Sequence, residues 1–101
     1  MMEYKSKLQS EELDLLFEAI LKLNTIEECY RFFEDICTIN EIKSLEQRLQ
    51  VAKMLQDKKT YQEIAHKTGA STATISRVNK ALNYGSDGYK TVLERMDLKN
   101  E

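Results

Sequence analysis

TYQEIAHKTGASTATISRVNKAL, Thr60 to Leu82, is the stretch on which the fold turns. Tyr61, Ile64, Ala65 and Thr68 fall on one face at helical spacing, and Ile75, Val78 and Leu82 do the same further on. Gly69 stands between the two patterns, where a helix C-terminus calls for a left-handed residue that glycine supplies cheaply. Thr60 and Glu63 form a capping box for the first helix, and Ser71 or Thr72 can cap the second. Ala65 is small enough for another helix to cross close over it. Helix, tight turn with Gly, helix is the unit that lays its second helix in the major groove of double-stranded DNA.

The outward face separates a DNA reader from an ordinary helical hairpin. At 100° per residue the second helix presents Ala73, Ser76, Arg77 and Lys80 opposite its apolar stripe, with Ser71 and Thr72 at its N-terminal end. No carboxylate occurs between Gly69 and Ser86, although 32% of the chain is charged. Short side chains let the backbone approach base edges, and arginine donates a fork to guanine or phosphate. The expected DNA-binding residues are these six together with Gln62 and Lys67 on the first helix. A solvated hairpin explains the apolar faces equally well, but not the missing acids.

Working outward, charge is unevenly spread. The net charge is −2, yet residues 1–57 carry seven Lys/Arg against twelve Asp/Glu, while residues 58–85 carry five against Glu63 alone. The basic footprint coincides with the motif. With 101 residues the chain reads as one domain spanning 1–101. Absence of proline and the presence of only three glycines favour an all-α fold.

Upstream, Met1 to Gln9 reads as a loose arm. Ser10 caps a helix with stripe Leu13, Leu16, Phe17, Ile20 and Leu21, ended by Asn24. Thr25 and Glu28 box the start of a second, lined by Ile26, Cys29, Tyr30, Phe33, Ile36 and Cys37. Thr38 and Glu41 open a long helix to about Gln56, with Ile42, Leu45, Leu49 and Ala52 on one side and Val51 and Met54 turned elsewhere. Downstream, Asn83 to Gly88 reads as a linker, and Asp87 caps a short last helix carrying Tyr89, Val92, Leu93 and Met96. Leu15, Phe32, Val51 and Met54 lie off the main stripes, so these helices are apolar on two sides and imply a second copy of the chain as cover. A rigid scaffold for an unrelated protein is the competing reading.

The motif GASTATISR with the helix before it, together with Thr38-Ile39-Asn40-Glu41 and Leu45-Glu46-Gln47-Arg48, resembles the Trp repressor family. It is most similar to the small Trp-repressor-related proteins of Firmicutes. The resemblance covers most of the chain and implies a six-helix fold whose first helices interlock between two chains. It also implies a corepressor pocket between the long helix and the recognition helix, at positions matching Thr38, Arg48 and Arg77. Val78 stands where the family has glycine and Ala81 where it has a ligand-contacting serine, and the linker before the motif is one residue shorter. The expectation is a homodimeric transcription regulator, a repressor, that works without tryptophan. Whether another effector binds stays open, and so do a repressor with a small-molecule corepressor and a helical adaptor without DNA binding.

No catalytic constellation emerges. Glu27 and Glu28 are early-turn acids on a helix, and His66, the one histidine, points outward as a solvated side chain or a phosphate contact. Cys29 and Cys37, eight helical residues and about 12 Å apart, cannot bridge each other. They read as reduced core thiols in a cytoplasmic protein rather than a metal site. No cofactor, metal or membrane segment is expected.

Overall fold

The computed structural model describes residues 4–100, with side chains described as far as Asp97; Met1 and the start of the expected N-terminal arm lie outside this range. Six helices and no strands make up the described residues: α1 (Glu11–Ile20), α2 (Ile26–Ile36), α3 (Ile39–Gln56), α4 (Tyr61–Thr68), α5 (Thr72–Tyr84) and α6 (Gly88–Asn100). The fold is all-α. Two compact units divide the chain, Met1–Thr38 and Ile39–Glu101.

In the first unit, the Ser10 hydroxyl accepts the Leu13 N–H at 3.0 Å and starts α1. Thr25 accepts from Glu28 N at 3.1 Å at the head of α2, but the Glu28 carboxylate reaches one residue further back than a box requires and takes the Asn24 N–H at 2.8 Å. Neither helix contains a buried residue. Phe17 and Leu21, expected on the inner stripe of α1, are exposed, Leu21 by 80%. Phe32 is half-buried, its ring edge-on to Phe33 at 5.6 Å. Cys37 has extended backbone and ends α2 instead of lying within it, and Cys29 is exposed, so the expected pair of core thiols is not there.

The second unit holds the core. Val51, Ala52, Ile64, Ala70, Ile75, Val78, Leu82 and Leu93 are buried, with Met54, Leu55, Ala65 and Tyr89 packed against them. This overturns the expectation for α3 in part: Ala52 is buried as its stripe predicts, but the other core positions differ. Val51 and Met54 face the chain's own core, whereas Leu45 and Leu49 are exposed. The cause is that α4, α5 and α6 all pack on α3, so its C-terminal half is apolar on two sides without any second chain. The expected linker from Asn83 shrinks to residues 85–87, because α5 continues to Tyr84 and α6, at 13 residues, already begins at Gly88. Asp87 takes φ +65°, not the extended backbone of a capping residue. Its carbonyl, rather than its carboxylate, closes the first turn by accepting Thr91 N–H at 3.0 Å and Thr91 Oγ1–H at 2.8 Å.

Candidate nucleic-acid interface

The α4–α5 unit is built as its sequence requires. Thr60 Oγ1 accepts Glu63 N–H at 3.1 Å while the Glu63 carboxylate accepts Thr60 N–H at 2.9 Å, a complete capping box. The Thr60 amide and hydroxyl hydrogen bonds hold the Glu63 pKa below the ordinary glutamate range. Gly69 ends α4 in the left-handed region at φ +74°, its N–H bonded to the Ala65 carbonyl at 2.9 Å. Of the two possible caps for α5, Ser71 is the one used: its Oγ accepts Thr74 N–H at 3.1 Å and donates to Thr74 Oγ1 at 3.1 Å. That hydroxyl is therefore partly committed to the helix end and not wholly free for a ligand.

Behind the turn lies a hydrogen-bonded bracket that sequence patterning did not single out. Gln47 on α3 donates its Nε2–H to the Thr68 carbonyl at 3.2 Å. Thr68 Oγ1 in turn donates to the Ile64 carbonyl at 2.7 Å and accepts Ala70 N–H at 3.1 Å. Four polar groups at the bend are thus satisfied in a part-buried setting, where leaving them unpaired would cost about 1–3 kcal/mol each. Together with buried Ile64, Ala70 and Ile75 this bracket fixes the bend between the two helices. Gln47 lay inside the family-like run Leu45–Arg48, but nothing in the helical period marks it as a donor to α4.

On the far side of α5, Thr72, Ala73, Ser76, Arg77 and Lys80 are all exposed, as are Ser71 at its head and Gln62, His66 and Lys67 on α4. Ile75, Val78 and Leu82 are buried on the opposite face. Among the described residues Lys67, Arg77 and Lys80 have no carboxylate partner, and the first turn of α5 contains no acid. The arrangement is an unneutralised, small-side-chain surface on a helix whose other face is locked into a core. Such a surface fits a groove lined by phosphates and base edges.

Arg48 and Arg77 meet at a cavity of about 200 Å³ that is also lined by Thr74, Val78, Ala81 and Tyr89. These two arginines are the ones the sequence resemblance brought to a corepressor pocket. Thr38, the third, belongs to the other unit. Val78 is only 2% exposed and forms part of the core. Tyr89, on α6, is a lining residue that helical spacing places only on the stripe of the last helix. Among the described residues no cluster of His, Cys, Asp or Glu could hold a metal ion, and no helix is long and apolar enough to cross a membrane.

Comparison with known proteins gives a consistent result. The family described as Trp repressor protein matches residues 11–97. The uncharacterized protein YerC of Bacillus subtilis is 61% identical over 90 residues, covering 89% of this chain and 86% of that one. The crystal structure of a TrpR-like protein from Eubacterium eligens superimposes with a TM-score of 0.87 at 62% identity, over 90% of this chain and 94% of that one. A Staphylococcus aureus crystal structure, provisionally assigned as a Trp repressor, gives a TM-score of 0.87 at 57% identity over 90% and 91% of the two chains.

Proposed function

This chain belongs to the Trp repressor family, and from that membership we propose that it is a sequence-specific DNA-binding repressor that acts as a homodimer and needs no tryptophan. The family is one of helix-turn-helix regulators, not of enzymes. The observation that carries the reading is the two-faced α5. Its inner face is buried at Ile75, Val78 and Leu82 while its outer face offers Thr72, Ala73, Ser76, Arg77 and Lys80 without a single acid. In this reading α5 enters the major groove, Arg77 and Lys80 meet base edges or phosphates, and Gln62 and Lys67 of α4 meet the flanking backbone.

Dimerisation is supported by what the first unit lacks. With no buried residue in α1 or α2, Leu15, Leu21, Ile26 and Tyr30 leave a large apolar surface in water. Exposed apolar surface on this scale calls for a partner, and a second copy supplies one while doubling the reading heads. Independence from tryptophan is supported by Val78. A buried valine in place of the family's glycine fills space beside Arg48 and Arg77 with the protein's own side chain, and Ala81 offers no hydroxyl to a ligand amine.

Gel retardation of fragmented genomic DNA, followed by footprinting of the retained fragments, tests the proposal. The expected result is a small set of fragments bound without added tryptophan, each protected over two related half-sites. Equal retention of all fragments, or of none, would contradict it, and none is what a purely protein-binding adaptor would give.

A further inference from the structure

A second cavity, of about 240 Å³, opens between α3, α5 and α6. It is reached by the second half of α5, roughly 12–18 Å along the helix from Ser71 at 1.5 Å per residue. Gln56, Lys58, Asn79, Asn83 and Lys90 line it, with Leu55 and Leu82 as apolar walls. No acid lines it, in a chain with 17 of them. Among the described residues neither Lys58 nor Lys90 has a carboxylate partner. Asp57, adjacent to Lys58 in sequence, lies instead 3.5 Å from the Lys53 ammonium, and Asp97 lies 3.9 Å from that same group. The concavity is thus bordered by two lysines and no carboxylate, so an anion in it would meet attraction from both and repulsion from no neighbouring acid.

Two of the lining carboxamides pair with each other. Asn83 Nδ2 donates to the Asn79 carbonyl at 2.9 Å and to Asn79 Oδ1 at 3.0 Å. That uses the Asn79 acceptor and leaves its Nδ2 hydrogens as donors. Lys58 itself sits at φ +65°, where a non-glycine residue is uncommon. It is held there by its N–H bond to the Leu55 carbonyl and the Lys59 N–H bond to the Met54 carbonyl, both 3.0 Å. A helix end that would suit glycine thus carries a cation at the cavity's edge.

We propose that this cavity binds a phosphate group, held between Lys58 and Lys90 with the Asn79 and Gln56 carboxamides as neutral donors. Its volume admits either a free phosphate ester with a small organic body or one phosphate of a DNA backbone. Occupation would tie the far half of α5 to α3 and α6. The anion site itself does not depend on the DNA-binding reading; only the DNA-backbone source does.

The test begins with the full chain, ¹⁵N-labelled and free of DNA, titrated with sodium phosphate against sodium chloride at matched ionic strength. The expected result is saturable amide shifts at Lys58, Asn79, Asn83 and Lys90, with binding at least tenfold weaker in the double variant Lys58→Gly, Lys90→Gln. Glycine takes the left-handed backbone at no steric cost and Lys90 is exposed, so the variant keeps its fold. If free phosphate gives no saturable shift but the double variant lowers the salt slope of DNA binding by about one per chain, the phosphate is the DNA's own. No response in either arm overturns the proposal. A wild-type chain that binds phosphate but not DNA would refute the DNA-binding reading and leave the anion site standing.

Discussion

Replacing Val78 by alanine removes two methyl groups from a residue packed with Val51, Ile75 and Leu93. Their lost burial is worth about 1.6 kcal/mol, at roughly 0.8 kcal/mol per group. A residual void of about 40–50 Å³ adds about 1 kcal/mol, and alanine's better helix propensity returns about 0.5 kcal/mol. Val78→Ala should therefore destabilise by about 2 kcal/mol. For a domain of this size that lowers Tm by about 10 °C. Urea and thermal unfolding followed by circular dichroism, at one fixed protein concentration because the proposed dimer would link to stability, measure it. The same void lies beside Arg48, Arg77 and Tyr89 at the cavity edge. The chain has no Trp residue, so added tryptophan can be followed by its own fluorescence in wild type and variant alike. Wild type should show no saturable binding at millimolar tryptophan. A loss below about 0.5 kcal/mol would mean that Val78 does not seal the core. Micromolar tryptophan affinity in wild type, with tighter DNA binding in its presence, would refute the tryptophan-independent reading.

Gly69→Ala should cost about 1–2 kcal/mol through left-handed strain alone, since nothing lies within 4 Å of the added carbon. Gly85→Ala should cost more by urea unfolding, because its added carbon would collide with the Ala81 backbone carbonyl; the opposite order would contradict both assignments. Glu63 has a lowered pKa in the folded state, so its contribution is present above the ordinary glutamate pKa and is lost as pH falls through the lowered value. Melting curves of wild type should therefore fall more steeply than those of Glu63→Gln below about pH 4.5, and parallel curves would remove the capping box as the cause. Sedimentation at micromolar concentration should show one species of twice the 11.8 kDa chain. Phe32→Glu should break that species into monomers that keep the α3–α6 core of Val51, Ile64, Ile75 and Leu93 folded, whereas a stable monomeric wild type would exclude the dimer.

Much of this was legible from local rules. The left-handed glycine, the Thr60–Glu63 box and the buried triplet of α5 all follow from short-range chemistry, which a sequence carries in full. Val51 was misassigned because periodicity gives the faces of a helix but not which face its own chain will cover. The α3 helix has an apolar pair of faces along its C-terminal half, and only the folding of α4, α5 and α6 onto it decides between self and partner. Cys29 failed in the opposite way, a residue on the expected stripe of α2 that its own chain leaves exposed. The bracket from Gln47 to Thr68 and the entry of Tyr89 into the arginine-lined cavity are tertiary contacts between distant residues. No spacing rule reports them.

The most direct test of the central claim, that the outer face of α5 reads DNA, is the affinity of Arg77→Ala for a selected operator across a salt series. Arg77 is exposed and outside the core, so circular dichroism should be unchanged. A base-contacting arginine should cost about 1–3 kcal/mol and relax preference at one position, while a phosphate-contacting one should lower the salt slope by about one. Either outcome is the predicted loss. Operator affinity and salt slope equal to wild type would contradict the account.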